Sequence, residues 1–307
     1  AMLQALQTRA ATFVALRRDI HRHPELGLKE FRTSDLVAAR LAAWGYTVHR
    51  GLAGTGVVGQ LVRGTGTRRL GLRADMDALP IQEENHFAHA SRHPGVMHAC
   101  GHDGHTAILL AAAQHIAEDV DFSGTLNLIF QPAEEHPGGA KIMIAEGLFE
   151  RFPCDAIYAL HNMPGHPAGH FVFREGAAMA SSDDVTITLN GQGGHGAMPH
   201  KAHDVVVAAS SIVMALQTIV SRNIDPLQTA VITVGAFNAG QANNVMPARA
   251  KLALSVRALD REVRDLLEQR IRALVTAQAE SFGVQATIDY QRDYPVLVNT
   301  APETAFA

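Results

Sequence analysis

His98-Ala99-Cys100-Gly101-His102-Asp103-Gly104-His105 runs directly into the apolar residues Ile108, Leu109 and Leu110. A glycine-bearing loop that leads into an apolar run predicts a helix opening near Asp103 or Gly104. On an extended loop, Cys100 and His102 point the same way and reach one site. A thiol among imidazoles is a transition-metal ligand set, whereas solvated loop histidines seldom gather around a cysteine. The strand expected at residues 125–130 leaves through Pro132 into Glu134 and Glu135, and the strand expected at 156–160 ends at His161-Asn162. Each chemical group therefore sits at a strand exit or a helix start, where α/β proteins build their sites.

Working outward, the N-terminal half alternates helix and strand. Helices are expected over residues 3–22, ending before Pro24, and over 30–44, with Gly45 as the stop. Strands are expected over 57–62 and 70–74, and a short helix over 140–146. Strands alternating with helices imply a largely parallel sheet covered by helices. Near Ser181 the texture changes. Val185, Ile187 and Leu189 alternate with Thr186, Thr188 and Asn190 as in a half-buried strand. A helix over 204–221 keeps Val205, Ala209, Ile212, Leu216 and Ile219 on one face. Strands at 230–237 and 251–256, a helix at 261–282 and a strand at 285–290 follow. The order β-α-β-β-α-β is the ferredoxin-like unit. The expected architecture is an α/β domain of residues 1–180 plus 295–307, interrupted by an inserted α+β domain of residues 181–294. Hinges are expected near 177–182 and 294–299.

Composition narrows the function classes. The chain has 307 residues, is 47% hydrophobic and 18% charged, and carries a net charge of −4 with dispersed basic residues. That excludes the basic patch of a nucleic-acid binder. No run of about 18 apolar residues marks a membrane span. The first residues lack the basic flank and apolar core of a signal peptide, so the cytoplasm is the expected compartment. Two cysteines make no disulfide framework, and Cys154 reads as an ordinary core thiol.

Several groups have two readings. Glu134 and Glu135 alone are a solvated acidic pair; beside the Cys100–His102 loop, one binds metal and the other is a general base. Asp75 and Asp77, at the exit of strand 70–74, either support the site or cap a loop beside Pro80. Asp103 either orients a histidine or caps the helix. His98 and His105 read as surface or supporting groups rather than ligands. His195, in a glycine-rich loop, is a surface residue or a catalytic one. Arg257, at a strand end, reads as a surface residue.

Taken together the residues resemble the metal-dependent aminoacylase and carboxypeptidase family that includes the hippurate hydrolases and indole-acetyl-amino-acid hydrolases. The resemblance covers essentially the whole chain. Its carriers are Arg22-His23-Pro24-Glu25-Leu26, Ala74-Asp75-Met76-Asp77-Ala78-Leu79-Pro80, the Met97–Thr106 block and Gln131-Pro132-Ala133-Glu134-Glu135. Gly193-Gly194-His195-Gly196-Ala197-Met198-Pro199-His200 and Asn244-Val245-Met246-Pro247 complete them.

The resemblance implies a two-metal centre held by Cys100, His102, Glu135 and His161, with Glu134 as general base. It implies that His195 polarises the substrate carbonyl, in many relatives from the partner subunit of a dimer. Asn244 and Arg257 would hold the substrate carboxylate. The cofactors are two divalent ions; a thiolate favours zinc, and the mixed ligands also admit manganese, cobalt or nickel. The expected reaction is hydrolysis of small N-acyl amino acids to an acid and an amino acid by a metal-bound hydroxide. The expected assembly is a homodimer through the inserted domain, which also serves as a lid. The alternatives are a metallo-carboxypeptidase or dipeptidase acting on small peptides, or a shortened, impaired homologue. Relatives carry a distal histidine ligand in a further C-terminal stretch, and no histidine follows His203. Four of five ligands are therefore expected here.

Overall fold

The computed structural model describes residues 2–307, which divide into two compact units, one up to His170 and one from Phe171 to Ala307.

The first unit contains helices α1 (Met2–Arg22) and α2 (Phe31–Ala43), then strands β1 (Thr47–Leu52), β2 (Gly56–Arg63) and β3 (Arg69–Asp75). Helix α3 (His102–Asp119), β4 (Gly124–Gln131), helices α4 (Gly139–Ala145) and α5 (Leu148–Arg151), and β5 (Ala156–Ala159) follow. The strands form one sheet in the order β1-β2-β4-β3-β5. β4, β3 and β5 are mutually parallel, while β2 is antiparallel to both of its neighbours. Four of the five strands thus run one way, and β2 is the exception. β1, which the sequence reading missed, forms the hairpin partner of β2.

Alternation along β4 explains why both faces are covered. Leu126, Leu128 and Phe130 enter the core that Phe13, Leu16 and Ile20 of α1, Val37 and Leu41 of α2, and Leu110 of α3 complete. Ile129 faces the other way, into a cluster with Val58, Met143, Leu148 and Phe152. Each fully buried side chain of this size contributes about 1.5–3 kcal/mol of hydrophobic stabilisation. The pairing register sets Asp75 beside Gln131 and Arg73 beside Ala159. The carboxyl ends of β3, β4 and β5 therefore open at one edge, on both sides of β3, and the chain enters α3 there.

The second unit contains β6 (Gly176–Met179), β7 (Asp183–Asn190), β8 (Gly194–His195), helix α6 (Val205–Asn223), β9 (Ala230–Ala239), β10 (Val245–Met246) and β11 (Arg249–Ala258). Helix α7 (Arg261–Ser281), β12 (Gln285–Arg292), β13 (Leu297–Asn299) and α8 (Ala301–Phe306) complete it. β12, β7, β11 and β9, in that order, form an antiparallel sheet. Val185, Ile187 and Leu189 of β7 are buried, as their alternation predicts, and pack with the apolar faces of α6 and α7. Asp204 and Asp260 start those helices, each accepting two backbone N–H groups of the first turn.

Helix α6 is long and apolar enough to cross a membrane by length and composition, and Val205, Ala208, Ala209, Ile212, Leu216 and Ile219 are its buried core face. β6 and β13 pair with each other, within the compact unit that runs from Phe171 to Ala307.

Candidate metal centre

The parallel strands deliver three of the four segments of the centre. β3 exits through Asp75 and Asp77, β4 through Glu134 and Glu135, and β5 through His161; Cys100 and His102 come from the loop that opens α3. They converge on one atom. Nε2 of His102 has Asp75 Oδ2 at 3.7 Å, Glu134 Oε2 at 3.8 Å and Glu135 Oε1 at 3.9 Å. His102 also groups with Cys100 and His161, their donor atoms all within 4.8 Å of one another. Cys100 Sγ lies 3.4 Å from His161 Nε2.

His102 is fully buried and its Nε2 has no hydrogen-bond partner. A buried ring nitrogen without a partner is costly unless something binds it. Nδ1 faces Asp77, with the backbone oxygen at 2.9 Å and Oδ1 at 3.2 Å, which places the proton on Nδ1 and leaves the Nε2 lone pair free. Burial opposes a charge on this ring, yet the bond to Asp77, the nearby Cys100 side chain and the charge of Asp75 outweigh it and push its pKa up to about 11. Such a pull on a proton is the electrostatic mark of a cation site. Soft sulfur, imidazole nitrogen and carboxylate oxygen in one place fit divalent ions: Cys100, His102 and His161 form one donor group and His102, Glu134 and Glu135 an overlapping one, with the single ligating nitrogen of His102 serving one ion.

The supporting groups are rigidly held. Asp77 is buried, and its carboxylate accepts the backbone N–H groups of Glu134 (2.9 Å) and Glu135 (3.0 Å). Asp75 is also buried and binds Arg73 and His105, each at 2.7 Å. Burial works against its ionisation, but His105 and Arg73 prevail and hold its carboxyl well below the usual range. Glu134 is shifted the other way. Burial, and then the neighbouring charge of Glu135, raise its pKa above that of an ordinary carboxylate, which suits a general base.

The structure separates several paired readings. Asp75 and Asp77 grip histidines and backbone amides of the site. Asp103 is not the helix cap; Gly101 is. Asp103 accepts from His21 Nδ1 (2.9 Å) and Arg17 (3.1 Å), so the histidine that it orients is a distant one. His98 and His105 are buried, not surface, residues. His105 spans Asp75 and Asn162, whose Oδ1 lies 2.5 Å from Nε2. His21, Glu30 and Glu83 went unnoticed in the sequence because nothing local marks them.

In the second unit β8 pairs with β10, setting His195 opposite Val245, and Gly196 N–H donates to the Asn244 carbonyl oxygen at 2.9 Å. His195 and Asn244 are thus neighbours, and both are exposed. Arg257 is not with them. It lies eight residues along β11 from Arg249, the end nearest β10, or about 26 Å at about 3.3 Å per residue.

Residues 71–307 match the peptidase family M20/M25/M40. The chain is 48% identical over 295 residues to the hippurate hydrolase of Campylobacter jejuni, covering 96% of this chain and 77% of that one. It is 42% identical over 290 residues to the N-acetyldiaminopimelate deacetylase of Anoxybacillus flavithermus, covering 94% and 76%. The crystal structure of the Bacillus subtilis YXEP protein, a dinuclear metal-binding peptidase of the M20 family, superposes with a TM-score of 0.80 at 30% identity, covering 98% and 78%. With donors for two divalent ions at the carboxyl edge of its sheet, the chain belongs to peptidase family M20/M25/M40 and is a metal-dependent hydrolase of amide bonds.

Proposed function

We propose that this protein hydrolyses small N-acyl amino acids, releasing a carboxylic acid and an amino acid. The observation that carries the reading is the convergence of Cys100, His161, Glu134 and Glu135 on the unpartnered Nε2 of His102. Cys100, His102, Glu135 and His161 hold the two ions, with zinc or manganese as the first candidates. When bound, the ions supply the Lewis acidity that activates a water and polarises the amide carbonyl. Glu134 accepts the water's proton and returns it to the departing amine. His195 donates a hydrogen bond to the carbonyl oxygen as charge develops there. Hippurate and N-acetyldiaminopimelate, the substrates in the relatives' names, are both N-acyl amino acids.

The second unit is read as a ferredoxin-like lid and dimerisation domain inserted at residues 181–294, with 1–180 and 295–307 as the catalytic domain. The separation of His195 and Asn244 from Arg257 along β11 supports a dimer. Arg257 would serve the carboxylate of a substrate in one site, and His195 with Asn244 would serve the other, across a two-fold axis. β9 and β12 are the free edges of the sheet. Two cysteines, one of them a ligand, suit a reducing compartment such as the cytoplasm.

The test is a panel of N-acetyl, N-benzoyl and indole-acetyl amino acids, alongside dipeptides, with the Glu134→Gln variant as control. Glu134→Gln should keep its metal and lose about 10²–10⁴-fold in rate. Near-parent turnover by that variant removes Glu134 as the base, and cleavage of dipeptides alone moves the reading to a dipeptidase.

A further inference from the structure

Glu30 lies outside every group described so far, yet it is fully buried at the start of α2. Its Oε1 accepts two backbone N–H groups, that of Leu28 at 3.1 Å and that of Ala133 at 2.8 Å. Its Oε2 accepts the Thr55 hydroxyl at 2.5 Å. Among the described residues, Leu28 and Ala133 are two of the three non-glycine residues with positive φ, at 62° and 49°. A left-handed residue with a Cβ persists only where its surroundings impose it. The packing here is close as well. A Cβ on Gly27 would collide with the His136 carbonyl oxygen and stand 3.0 Å from the Ala133 Cβ, and one on Gly139 would collide with the Pro132 carbonyl oxygen.

Glu30 and Asp77 act on successive residues. Ala133 N–H goes to Glu30, and Glu134 and Glu135 N–H go to Asp77. Three consecutive amides are thus anchored to two buried carboxylates from separate parts of the chain. The anchors fix where the backbone turns after Pro132 and therefore where the next two side chains point.

We propose that Glu30 is a positioning residue for the amide hydrolysis. By holding Ala133 in its left-handed conformation, it aims Glu134 and Glu135 at the metal pair. The proposal rests on the roles assigned above to those two glutamates. What the position requires is an acceptor at full side-chain reach, not a charge. The amide oxygen of Gln would still accept from Leu28 and Ala133, while Asp, one methylene shorter, withdraws the acceptor from Ala133 and keeps the charge.

The experiment compares Glu30→Gln, Glu30→Asp and Glu30→Leu in the Co(II)-loaded protein, by visible absorption and by steady-state kinetics. Glu30→Gln should retain the parent's Co(II) spectrum and a kcat within about 3-fold. Glu30→Asp and Glu30→Leu should alter the spectrum and lower kcat by about 10–100-fold, the usual effect of removing a group that orients a metal site, with KM within about 2-fold. A merely structural role would move the melting temperature and leave the spectrum and kcat of the folded protein alone. The reverse ranking, with Asp active and Gln impaired, overturns the proposal in favour of a charge-based role. A parent-like spectrum and kcat in folded Glu30→Asp also overturns it, and this variant decides the matter if Glu30→Leu does not fold. Glu134→Gln, run in parallel, separates the two readings. If it turns over at the parent rate, the assigned base is wrong, and the Co(II) spectra alone judge Glu30.

Discussion

Asp77→Ala should loosen the metal centre and destabilise the first unit together, by amounts that the geometry bounds. The carboxylate accepts from Glu134 N–H, Glu135 N–H and His102 Nδ1. On its removal His102 keeps a partner, because the Asp77 backbone oxygen already lies 2.9 Å from Nδ1. The two glutamate amides lose theirs. An orphaned amide costs about 1–3 kcal/mol, and this loop borders solvent, so the low end applies, about 2–3 kcal/mol for the pair. At about 2–4 °C per kcal/mol for a unit of this size, the metal-free protein should melt about 4–12 °C lower. Metal affinity should fall about 10–100-fold, or about 1.4–2.7 kcal/mol. Asp77→Asn should fall between, since its amide oxygen can serve Glu134 and His102 while its NH₂ faces the Glu135 donor. The assays are calorimetry of the metal-free protein and titration of Co(II) against a competing chelator. A melting temperature within about 1 °C of the parent, with unchanged affinity in Asp77→Ala, would refute the claim that Asp77 anchors the loop.

Cys100→Ser should weaken metal affinity by removing a soft anionic donor; unchanged metal content on elemental analysis would take Cys100 out of the ligand set. His21 sits between Asp103 and Glu83, and the bond to Asp103, acting against burial, raises its pKa. Its contribution to stability is full below its unfolded value near 6.5 and is lost as pH rises through the folded value. Asp103 is held down to about 2, chiefly by His21 working against burial, so its contribution is lost only as pH falls through about 2. The melting difference between the metal-free parent and His21→Gln should therefore be largest at about pH 4–6 and shrink in alkali; a difference that grows above pH 7 would contradict this. Arg264→Met leaves Asp183 buried beside Tyr290 without its cation. It should destabilise the second unit by about 3–5 kcal/mol while metal affinity stays at the parent value; loss of metal binding in the folded variant would show the units to be coupled. Light scattering should report a dimer at micromolar concentration, and a monomer would count against His195 acting on a partner's substrate.

The elements that stood out in the sequence carry their own pattern. β7 alternates, α6 and α7 keep the helical period behind Asp caps, and β4 centres on the apolar run Leu128-Ile129-Phe130. β1 does not. Thr47-Val48-His49-Arg50-Gly51-Leu52 is of mixed polarity, with three of its six residues exposed, and only its pairing with β2 makes it a strand. β6 and β13 are too short to show a period and exist by pairing with each other. The same division runs through the site. Cys100, His102, Glu134, Glu135 and His161 announce themselves because reactive side chains cluster at strand exits. Their holders stayed silent. His21 meets Asp103 across 82 residues and Glu30 meets Ala133 across 103. A glutamate ahead of an amphipathic helix, such as Glu30, reads as an ordinary solvated charge. Only its burial shows otherwise.

This division of labour has a thermodynamic consequence. Cys100 and His102 are close in sequence and stay close in an unfolded chain, so they retain some affinity for metal there. Glu134, Glu135 and His161 reach them only when β4 and β5 lie in register beside β3. Glu30 and Asp77 aim the two glutamates only when α2, β3 and the loop after β4 have assembled. In the proposed reading, binding of two ions is therefore a property of the folded first unit, and bound ions would stabilise that unit by mass action, about 2.7 kcal/mol for a ligand at 100 times its dissociation constant. The buried carboxylates act before any metal arrives. Without a cation they crowd negative charge around His102 Nε2; the bonds to Arg73 and His105 are what let Asp75 remain ionised in the interior, and Asp77 is held by the backbone amides of Glu134 and Glu135. The holders thus do two things with the same contacts. They keep the metal-free unit folded around an electrostatic hole, and they fix the geometry into which the ions bind.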